Sequence, residues 1–560
     1  MSRHVARMRL ALVLLVGLFA TASAVTVPAA ASGDTIGQPA ASVRQGGGSE
    51  VHLPLSEPPT LDPGLAEDGS AIEVVHQLFD GLVLLEQSGG VSGLGAESWS
   101  ISPDGMTYTF KLRAGRTWTD GQAVTANDYV FAWRRNVDPS TASPYANALY
   151  PVKNAEAIND GELTSDQLGV QAVDAQTLVV TLEQPAAYFL SLASTWTLYP
   201  LRQDILEAYG DNWTDPGSIV TNGPYMLSAW EHDSRIVLDR NPGYGGPPPS
   251  ISRATFHLFP SEGSEQMLAA YEAGEIDTTG AGVPSELPPS QIDRILADPV
   301  LSGQVRSIKQ SSTELIIVNH RQPHLQDPRV RQALGLALDR TLILDAVLKR
   351  AGEPAYGIQP EGIVGRQTTL WPQDNVAMAQ QLMADAGYPN GAGFPEMTYT
   401  FNSSAELRIL AEYLQARWQE TLGISVRLES MERSAFFQWR RGNEWNTRGD
   451  LYRASWFSDY EDPNNWYNLL WESSSDPTSF NGAWMNAGFD ALVRQGASEQ
   501  DATRRASIYG QAEAIMAQEY PHIPLFHYDV RSLVKPHVRG YIPSRVLGIT
   551  PLRTMSIDAR

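Results

Sequence analysis

The chain of 560 residues contains no cysteine. Disulfides, thiolate metal sites and cysteine nucleophiles are therefore excluded. The sequence also lacks a GxxxxGK[ST] phosphate loop, and it has no Gly-Lys pair from which one could be built. HExxH zinc motifs and GxSxG nucleophile elbows are missing as well. We therefore predict a protein that is not an enzyme and has no catalytic residues, no metal site and no cofactor.

Positive charge is scarce, because 41 Lys and Arg face 63 Asp and Glu and give a net charge of −22 at pH 7. Phosphate binding needs a basic face, and no basic run here is long, so we expect no nucleic-acid partner. A hydrophobic fraction of 42% with 19% charged residues is typical of soluble globular proteins. The length predicts roughly two to four domains.

Long hydrophobic runs are confined to the N-terminus. Arg3, Arg7 and Arg9 precede an apolar run from Leu10 to about Phe19, and small residues follow up to Ala24. This layout predicts a cleaved secretory signal peptide over residues 1–24. An uncleaved membrane anchor is disfavoured, because the apolar run is shorter than the roughly 20 residues that span a bilayer. Residues 25–50 are small, polar and glycine-rich, as in a flexible linker, so folding should begin near Val51.

Strand and helix patterns interleave along the rest of the chain and predict a mixed α/β fold. Apolar residues alternate over 106–112, and shorter strand patterns follow at 178–182 and 236–238. Residues 118–135 turn helical, with Thr125 as the N-cap and Asp128 completing a variant capping box.

A second clear helix is predicted over residues 327–340. Asp327 is its cap, Pro328 takes the first helical position, and one apolar stripe is formed by Val330, Leu334, Ala337 and Leu338. Pro247-Pro248-Pro249 is predicted to be a rigid connector or turn between domains, with residues 253–277 beginning a new lobe.

The segment RASWFSDYEDP at residues 453–463 places Asp459 beside Trp456, Phe457 and Tyr460. A carboxylate walled by aromatic rings attracts an ammonium group more strongly, because the rings displace competing water. Arg453, which is always charged, could meet a carboxylate at the other end of the same ligand. The pattern indicates a site for a zwitterion, but aromatic-rich acidic turns also occur on ordinary surfaces.

Adjacent acids such as Glu461 and Asp462 raise the alternative of a glycoside hydrolase, which needs two carboxylates flanking one bond. Neighbouring residues generally point apart, and 63 acids make such pairs common by chance, so this alternative is disfavoured. The 14 tryptophans and 21 tyrosines also suit a cleft that holds a flexible polar ligand.

Eight segments together resemble the peptide-binding extracellular solute receptors of ABC importers, the family 5 solute-binding proteins, in that family's order. They are EPPTLDP (57–63), WTDGQAVTANDYVFAWRR (118–135), VDPSTASPY (137–145), DPGSIVTNGPY (215–225), GEIDTTG (274–280), DPRVRQALGLALDR (327–340), SWFSDYEDP (455–463) and LVKPHVRGY (533–541). The similarity covers nearly all of the chain from about Glu50 onward.

The resemblance implies a two-lobed hinged receptor with an extra subdomain in its first lobe. Lobe I would comprise residues 51–79, 205–260 and 527–560, the extra subdomain residues 80–204, and lobe II residues 261–526. The chain would cross between the lobes near the 260s and the 520s. The implied function is to capture oligopeptides and deliver them to the permease subunits of an ABC importer, as a monomer.

The same resemblance implies roles for particular residues. Asp459 would pair with the α-ammonium of the peptide, Arg453 would meet its carboxylate, and Trp456 and Tyr460 would wall side-chain pockets. The other positions implied to line the cleft or lie beside it are Tyr145, Glu67, Asn222 and Gly223.

Two departures from the family pattern matter. Residues 440–452 are several residues longer than usual, so Arg440, Arg441 or Arg448 could anchor the C-terminus of the ligand instead of Arg453. No lipidated cysteine follows the signal peptide, which predicts a periplasmic or secreted protein. A same-fold receptor for a dipeptide, opine, metal chelate or sugar, or a peptide sensor, remains an alternative.

Overall fold

The computed structural model describes residues 49–86, 90–260, 263–280, 287–349, 351–367, 369–441, 448–473 and 480–558. The predicted signal peptide and residues 25–48 of the predicted linker lie outside these ranges. The first strand begins at Glu50, one residue before the predicted start of the fold. No helix in these ranges combines the length and apolarity needed to cross a membrane.

The first part of the chain carries two four-stranded sheets and five helices. Its strands are β1 (Glu50–Leu55), β2 (Val83–Leu85), β3 (Val91–Gly93), β4 (Ala96–Ile101), β5 (Thr107–Leu112), β6 (Val170–Asp174), β7 (Thr177–Thr181), β8 (Tyr225–Glu231), β9 (Arg235–Arg240) and β10 (Arg253–Leu258). Its helices are α1 (Gly69–Leu78), α2 (Ala126–Val137), α3 (Ala155–Asn159), α4 (Phe189–Leu192) and α5 (Gln203–Tyr209).

One sheet has the order β1-β10-β9-β8 and the other β4-β5-β7-β6, while β2 and β3 form a separate hairpin. Because β9 and β10 are antiparallel neighbours, Pro247-Pro248-Pro249 lies in the loop between two strands of one sheet. The prediction that this proline run connects two domains is therefore wrong. The prediction that a new lobe begins at residue 253 is also wrong, because β10 pairs in parallel with β1 and so belongs to the same sheet.

The second part of the chain is built around one six-stranded sheet of order β12-β16-β11-β15-β13-β14. Its strands are β11 (Val305–Val318), β12 (Gly352–Pro354), β13 (Met397–Asn402), β14 (Val426–Met431), β15 (Leu451–Phe457) and β16 (His522–Leu533), and the short pair β17 (Val538–Arg539) and β18 (Ser556–Ile557) follows. Its helices are α6 (Ser264–Ala273), α7 (Ile292–Ala297), α8 (Pro328–Leu336), α9 (Arg340–Leu342), α10 (Val376–Asp385), α11 (Ala405–Leu422), α12 (Arg433–Arg441), α13 (Asn468–Trp471), α14 (Ala487–Ser498) and α15 (Ala502–Glu519).

The helices predicted from local signals form for the expected reasons. Thr125 and Asp128 make a capping box at the start of α2. The side chain of Asp327 accepts the backbone N–H of Arg329 at 2.9 Å and caps α8. The predicted apolar stripe of this helix is at most 1% exposed, although α8 ends at Leu336, before the predicted end.

Buried side chains fall into separate cores, which supports a division into lobes. One core joins the two four-stranded sheets to the C-terminal residues Leu552 and Met555. A second surrounds the six-stranded sheet from Leu315 to Tyr528, and a small third one packs around α6 and α7. The lobe assignment itself stays a prediction.

The predicted lobe boundaries differ from the strand pairing. Residues 526 and 527 both lie inside β16, which pairs with β11 on either side of that point. Residues 264–280 were assigned to lobe II, yet Asp277 N donates to His52 O of β1 at 2.7 Å. The predicted boundaries near residues 260 and 526 therefore fall within continuous pairing, and the positions of the crossings stay a prediction.

Candidate ligand-binding site

Strand β15 positions the candidate site, because Asp459 lies two residues beyond its end. This strand pairs antiparallel with β11, with Trp456 opposite Thr313 and Arg453 opposite Ile316. Side chains alternate between the two faces of a strand, so Arg453 and Trp456 point to opposite faces of the sheet.

Asn465 holds the loop after β15 in place. Its Oδ1 accepts the backbone N–H of Asp459 at 3.1 Å and the indole N–H of Trp456 at 3.0 Å. Its Nδ2 donates to Asp459 Oδ2 at 3.2 Å. Asn465 is completely buried, so these partners satisfy both ends of its carboxamide.

Asn465 is a residue of the site that was not predicted from the sequence. A local signal existed, since Asp462 caps the short 3₁₀ turn Pro463–Asn465 and Pro463 starts it. That signal predicts the turn, but it does not show that the turn brings Asn465 back to Asp459.

The carboxyl group of Asp459 has a raised pKa. Burial raises its pKa to about 6, against the opposing hydrogen bonds from Asn465 and Tyr145. Within the part of the chain that the structure describes, no Lys, Arg or His nitrogen lies within 4 Å of its oxygens. The group is therefore mostly ionised at pH 7, and among the described residues no cation pairs with it.

Tyr145 approaches Asp459 from the first part of the chain, and the charge of Glu67 acts on Tyr145. The Tyr145 hydroxyl lies 3.5 Å from Asp459 Oδ1, and its ring packs edge-on against Trp196 at 5.0 Å between centroids. Burial, Asp459 and Glu67 together raise the pKa of the Tyr145 hydroxyl, which stays protonated. Glu67 is exposed.

A cleft of about 630 Å³ lies beside Asp459, within the size range of small-ligand sites. Asp459 and Glu461 reach it from the loop after β15. The other residues that line the cleft come from the end of α1, the β2–β3 hairpin, residues 194–199 and residues 540–554 of the C-terminal segment. The cleft therefore combines residues from both parts of the fold.

The two predicted aromatic walls have different surroundings. Trp456 is half-buried and packs edge-on against Phe480 at 5.4 Å. Tyr460 is 7% exposed, stacks on Tyr188 at 6.1 Å and donates its hydroxyl to Asn464 at 2.6 Å. Tyr460 thus packs between residues of the predicted subdomain and the second part of the chain, and contact of either ring with ligand stays a prediction.

Arg453 is already paired. Its guanidinium makes two hydrogen bonds of 2.7 Å to the carboxylate of Glu314, whose side chain is fully buried. Burial opposes the charge of Arg453, but Glu314 and Tyr528 outweigh it and raise its pKa. Because this bidentate pair uses the charge of Arg453, the structure does not support its predicted role toward a ligand carboxylate.

The alternative arginines are also engaged where the structure describes them. Arg448 is 3% exposed and donates to the carbonyl oxygens of Trp439 and Arg440 at 3.1 and 2.6 Å, which caps the end of α12. Arg440 lies over the rings of Phe437 and Phe480. The side chain of Arg441 and residues 442–447 lie outside the described residues.

Asn222 and Gly223 pack against the end of α1. The carboxamide of Asn222 accepts the N–H of Asp80 at 3.0 Å and donates to its carbonyl at 2.9 Å. Gly223 N donates to Leu78 O at 2.8 Å, and a Cβ at Gly223 would come within 2.6 Å of the Leu78 backbone. These contacts explain both residues structurally, and neither lines the cleft beside Asp459.

The chain is similar over most of its length to known binding proteins. Residues 90–478 match the family described as bacterial extracellular solute-binding proteins, family 5. The chain is 36% identical over 497 residues to the "Probable deoxycholate-binding periplasmic protein YgiS" of Escherichia coli, covering 87% of this chain and 89% of that protein. It is 32% identical over 515 residues to the E. coli "Periplasmic oligopeptide-binding protein OppA", covering 90% and 91%.

Among solved structures, the fold matches that of Haemophilus influenzae OppA in complex with RPPGFSPFR, with a TM-score of 0.73 and 32% identity. The match covers 92% of this chain and all of the other. These matches confirm the two-lobed architecture and the family predicted from the eight segments. The chain belongs to the family 5 bacterial extracellular solute-binding proteins.

Proposed function

We propose that this chain is the solute-binding component of an ABC peptide importer. It captures a peptide in the cleft beside Asp459 and delivers it to permease subunits in the membrane. Similarity to oligopeptide-binding proteins over about nine tenths of the chain supports this function. The protein acts by binding and release and performs no chemistry on the peptide.

The observation that carries the proposal is the unpaired charge of Asp459. A half-buried carboxylate that Asn465 holds, and that pairs with no cation among the residues the structure describes, is a complementary site for an ammonium group. The α-ammonium is present in every unmodified peptide, so recognising it gives affinity without a requirement for one sequence. Arg453 is left out of this proposal, because Glu314 already neutralises it.

Closure of the lobes around the peptide completes the proposed cycle. The cleft takes its lining from both parts of the fold, so a peptide that contacts both stabilises the closed arrangement. The bending point is the register break in β11 between Lys309 and Thr313. The closed form then docks on the permease, as a monomer.

This function requires a location outside the cytoplasm. Similarity to proteins named periplasmic supports that location. We propose that the signal peptide of residues 1–24 is removed and that the protein is periplasmic or secreted, without a lipid anchor.

Calorimetric titration of ligand-stripped protein tests the proposal, using mixed tri- to pentapeptides beside the same peptides N-acetylated. Free peptides should bind without cleavage, and acetylated peptides should bind far more weakly. Asp459→Ala should lose roughly two to four decades of affinity, which corresponds to about 3–5 kcal/mol for an unpaired buried charge. Asp211→Ala, at an exposed aspartate, is the matched control and should bind as the parent does. A loss below tenfold for Asp459→Ala would reject its role.

A steroid carboxylic acid is a second candidate ligand. Two observations favour it: the 36% identity to a protein named as probably deoxycholate-binding, and the apolar residues in the cleft. Asp459 disfavours it, because its carboxylate would repel that of such an acid, whereas the negative charge of Glu461 is offset by Arg545 at 3.5 Å. Titration with deoxycholate below its micelle concentration separates the candidates, since binding of deoxycholate but of no peptide would replace the proposed function.

A further inference from the structure

The cleft beside Asp459 is chemically asymmetric. Of its three acids, Asp459 and Glu461 come from the loop after β15, and Glu86 directly follows β2. A set of aliphatic side chains comes instead from the β2–β3 hairpin region and the C-terminal segment, and we call it the apolar wall: Leu84, Leu85, Leu94, Val546, Ile549 and Leu552.

The polar side chains around the apolar wall are engaged with one another. Arg553 forms an ion pair with Asp80 at 2.7 Å, and a hydrogen bond of 2.8 Å joins the Tyr199 hydroxyl to His76 Nδ1. Gln77 Nε2 donates to the carbonyl oxygen of Thr550 at 3.1 Å. Two further charged side chains of the cleft are also paired, since Arg545 lies 3.5 Å from Glu461 and Glu86 accepts from the Ser92 hydroxyl. A polar ligand group placed against the aliphatic side chains themselves would lose water without gaining a partner there, which costs free energy.

The volume of the cleft limits where the apolar group of the ligand can be. Asp459 and the apolar wall line one cleft of about 630 Å³, a volume in the range of small-ligand sites. An ammonium group at Asp459 thus leaves only the first few side chains within reach of the wall.

We propose that the apolar wall is a specificity pocket, and that this protein selects peptides with a large aliphatic or aromatic side chain close to a free N-terminus. This inference rests on the proposed function, because it needs the ammonium at Asp459 as the anchor. Burial of one such side chain should strengthen binding roughly 10- to 100-fold over a small polar one.

Calorimetry with three tripeptides that carry Phe at the first, second or third position and Ala elsewhere tests the inference. Each is compared with the tripeptide that carries Ser at the same position. At least one Phe peptide should bind roughly 10- to 100-fold tighter than its Ser counterpart. Equal affinities within every pair would overturn the inference and leave the proposed function standing. Binding of none of the six would instead overturn the proposed function.

Variants then assign the preference to the apolar wall. Ile549→Ser should reduce the Phe-over-Ser ratio at least fivefold. Ile101→Ser, at an isoleucine on β4 that is 39% exposed and outside the cleft, is the matched control and should keep the ratio. Leu84→Ser provides a second wall variant should Ile549→Ser fail to fold. An unchanged ratio in a folded wall variant would overturn the assignment.

Discussion

The carboxamide of Asn465 binds Asp459 twice, at its backbone N–H and at its carboxylate. The same carboxamide oxygen accepts the indole N–H of Trp456. Asn465 thus fixes the orientation of the cleft carboxylate relative to the aromatic residue before it. Preorganisation of this kind lowers the entropic cost of binding, because the carboxylate need not be ordered by the ligand.

Asn465→Ala should weaken peptide binding at pH 7 by roughly tenfold or more, since a hydrogen bond to a charged group is worth about 1.5–3 kcal/mol. It should also raise the pKa of Asp459 above about 6, because the carboxylate loses a donor. Calorimetry measures the affinity and a carboxyl-carbon NMR titration measures the pKa. Asn212→Ala, at an exposed asparagine, is the control. An unchanged pKa in Asn465→Ala would contradict the assigned hydrogen bond.

Peptide affinity should depend on pH in a bell shape. Below a pH of about 6 Asp459 takes up a proton and loses its attraction for the ammonium, so affinity should fall up to tenfold per pH unit. Above about pH 8 the α-amino group of the peptide loses its own proton. Titrations between pH 4.5 and 9.5 check both limbs, and Asp459→Asn should remove the acidic one. Persistence of the acidic limb in Asp459→Asn would assign it to another group.

The raised pKa of Asp459 should also affect the stability of the protein in the absence of peptide. Between pH 3.8 and about 6 native Asp459 keeps a proton that the unfolded chain has released. Its contribution to the free energy of unfolding therefore falls as pH rises through this window. Denaturant unfolding of the parent and of Asp459→Asn should show the variant gaining relative stability from pH 4 to pH 7. A constant difference would contradict the raised pKa.

Arg453 should matter more for stability than for affinity. Arg453→Met leaves the fully buried carboxylate of Glu314 without its cation, so the free energy of unfolding should fall by about 3–5 kcal/mol. Replacing both residues, as Arg453→Met with Glu314→Leu, should restore most of that loss.

Arg504→Met is the matched control for this pair, because Arg504 is 68% exposed and solvent screens its pairing with Glu499, so its loss should change the free energy of unfolding little. Denaturant unfolding measures all of these variants. A stable Arg453→Met protein that no longer distinguishes free from amidated peptide C-termini would return Arg453 to the predicted ligand role.

Gly223→Ala should destabilise the fold, since its Cβ would lie 2.6 Å from the backbone of Leu78. We expect a loss of about 1–3 kcal/mol, as for other overpacking substitutions. Gly303→Ala is the control, because nothing lies within 4 Å of the added Cβ there. Equal unfolding midpoints for the two variants would show that the turn can move away from α1.

Local signals were reliable where neighbours in sequence decide the structure. The caps of α2 and α8 need only residues within one turn, and both formed as predicted. The prediction from the proline run was wrong because it concerned residues that are distant in sequence. Proline restricts its own backbone, but whether the strands on either side pair with each other depends on contacts far from the prolines.

The family, the mixed α/β class and the position of Asp459 in an aromatic segment all follow from the order of residues along the chain. Which charges remain available for a ligand depends instead on the packing of distant strands. Arg453 and Glu314 are 139 positions apart in sequence and form an ion pair because β15 lies beside β11. In the described ranges of the chain no basic side chain lies within 4 Å of the Asp459 carboxylate. Electrostatic pairing depends on distance in space, which sequence spacing does not determine.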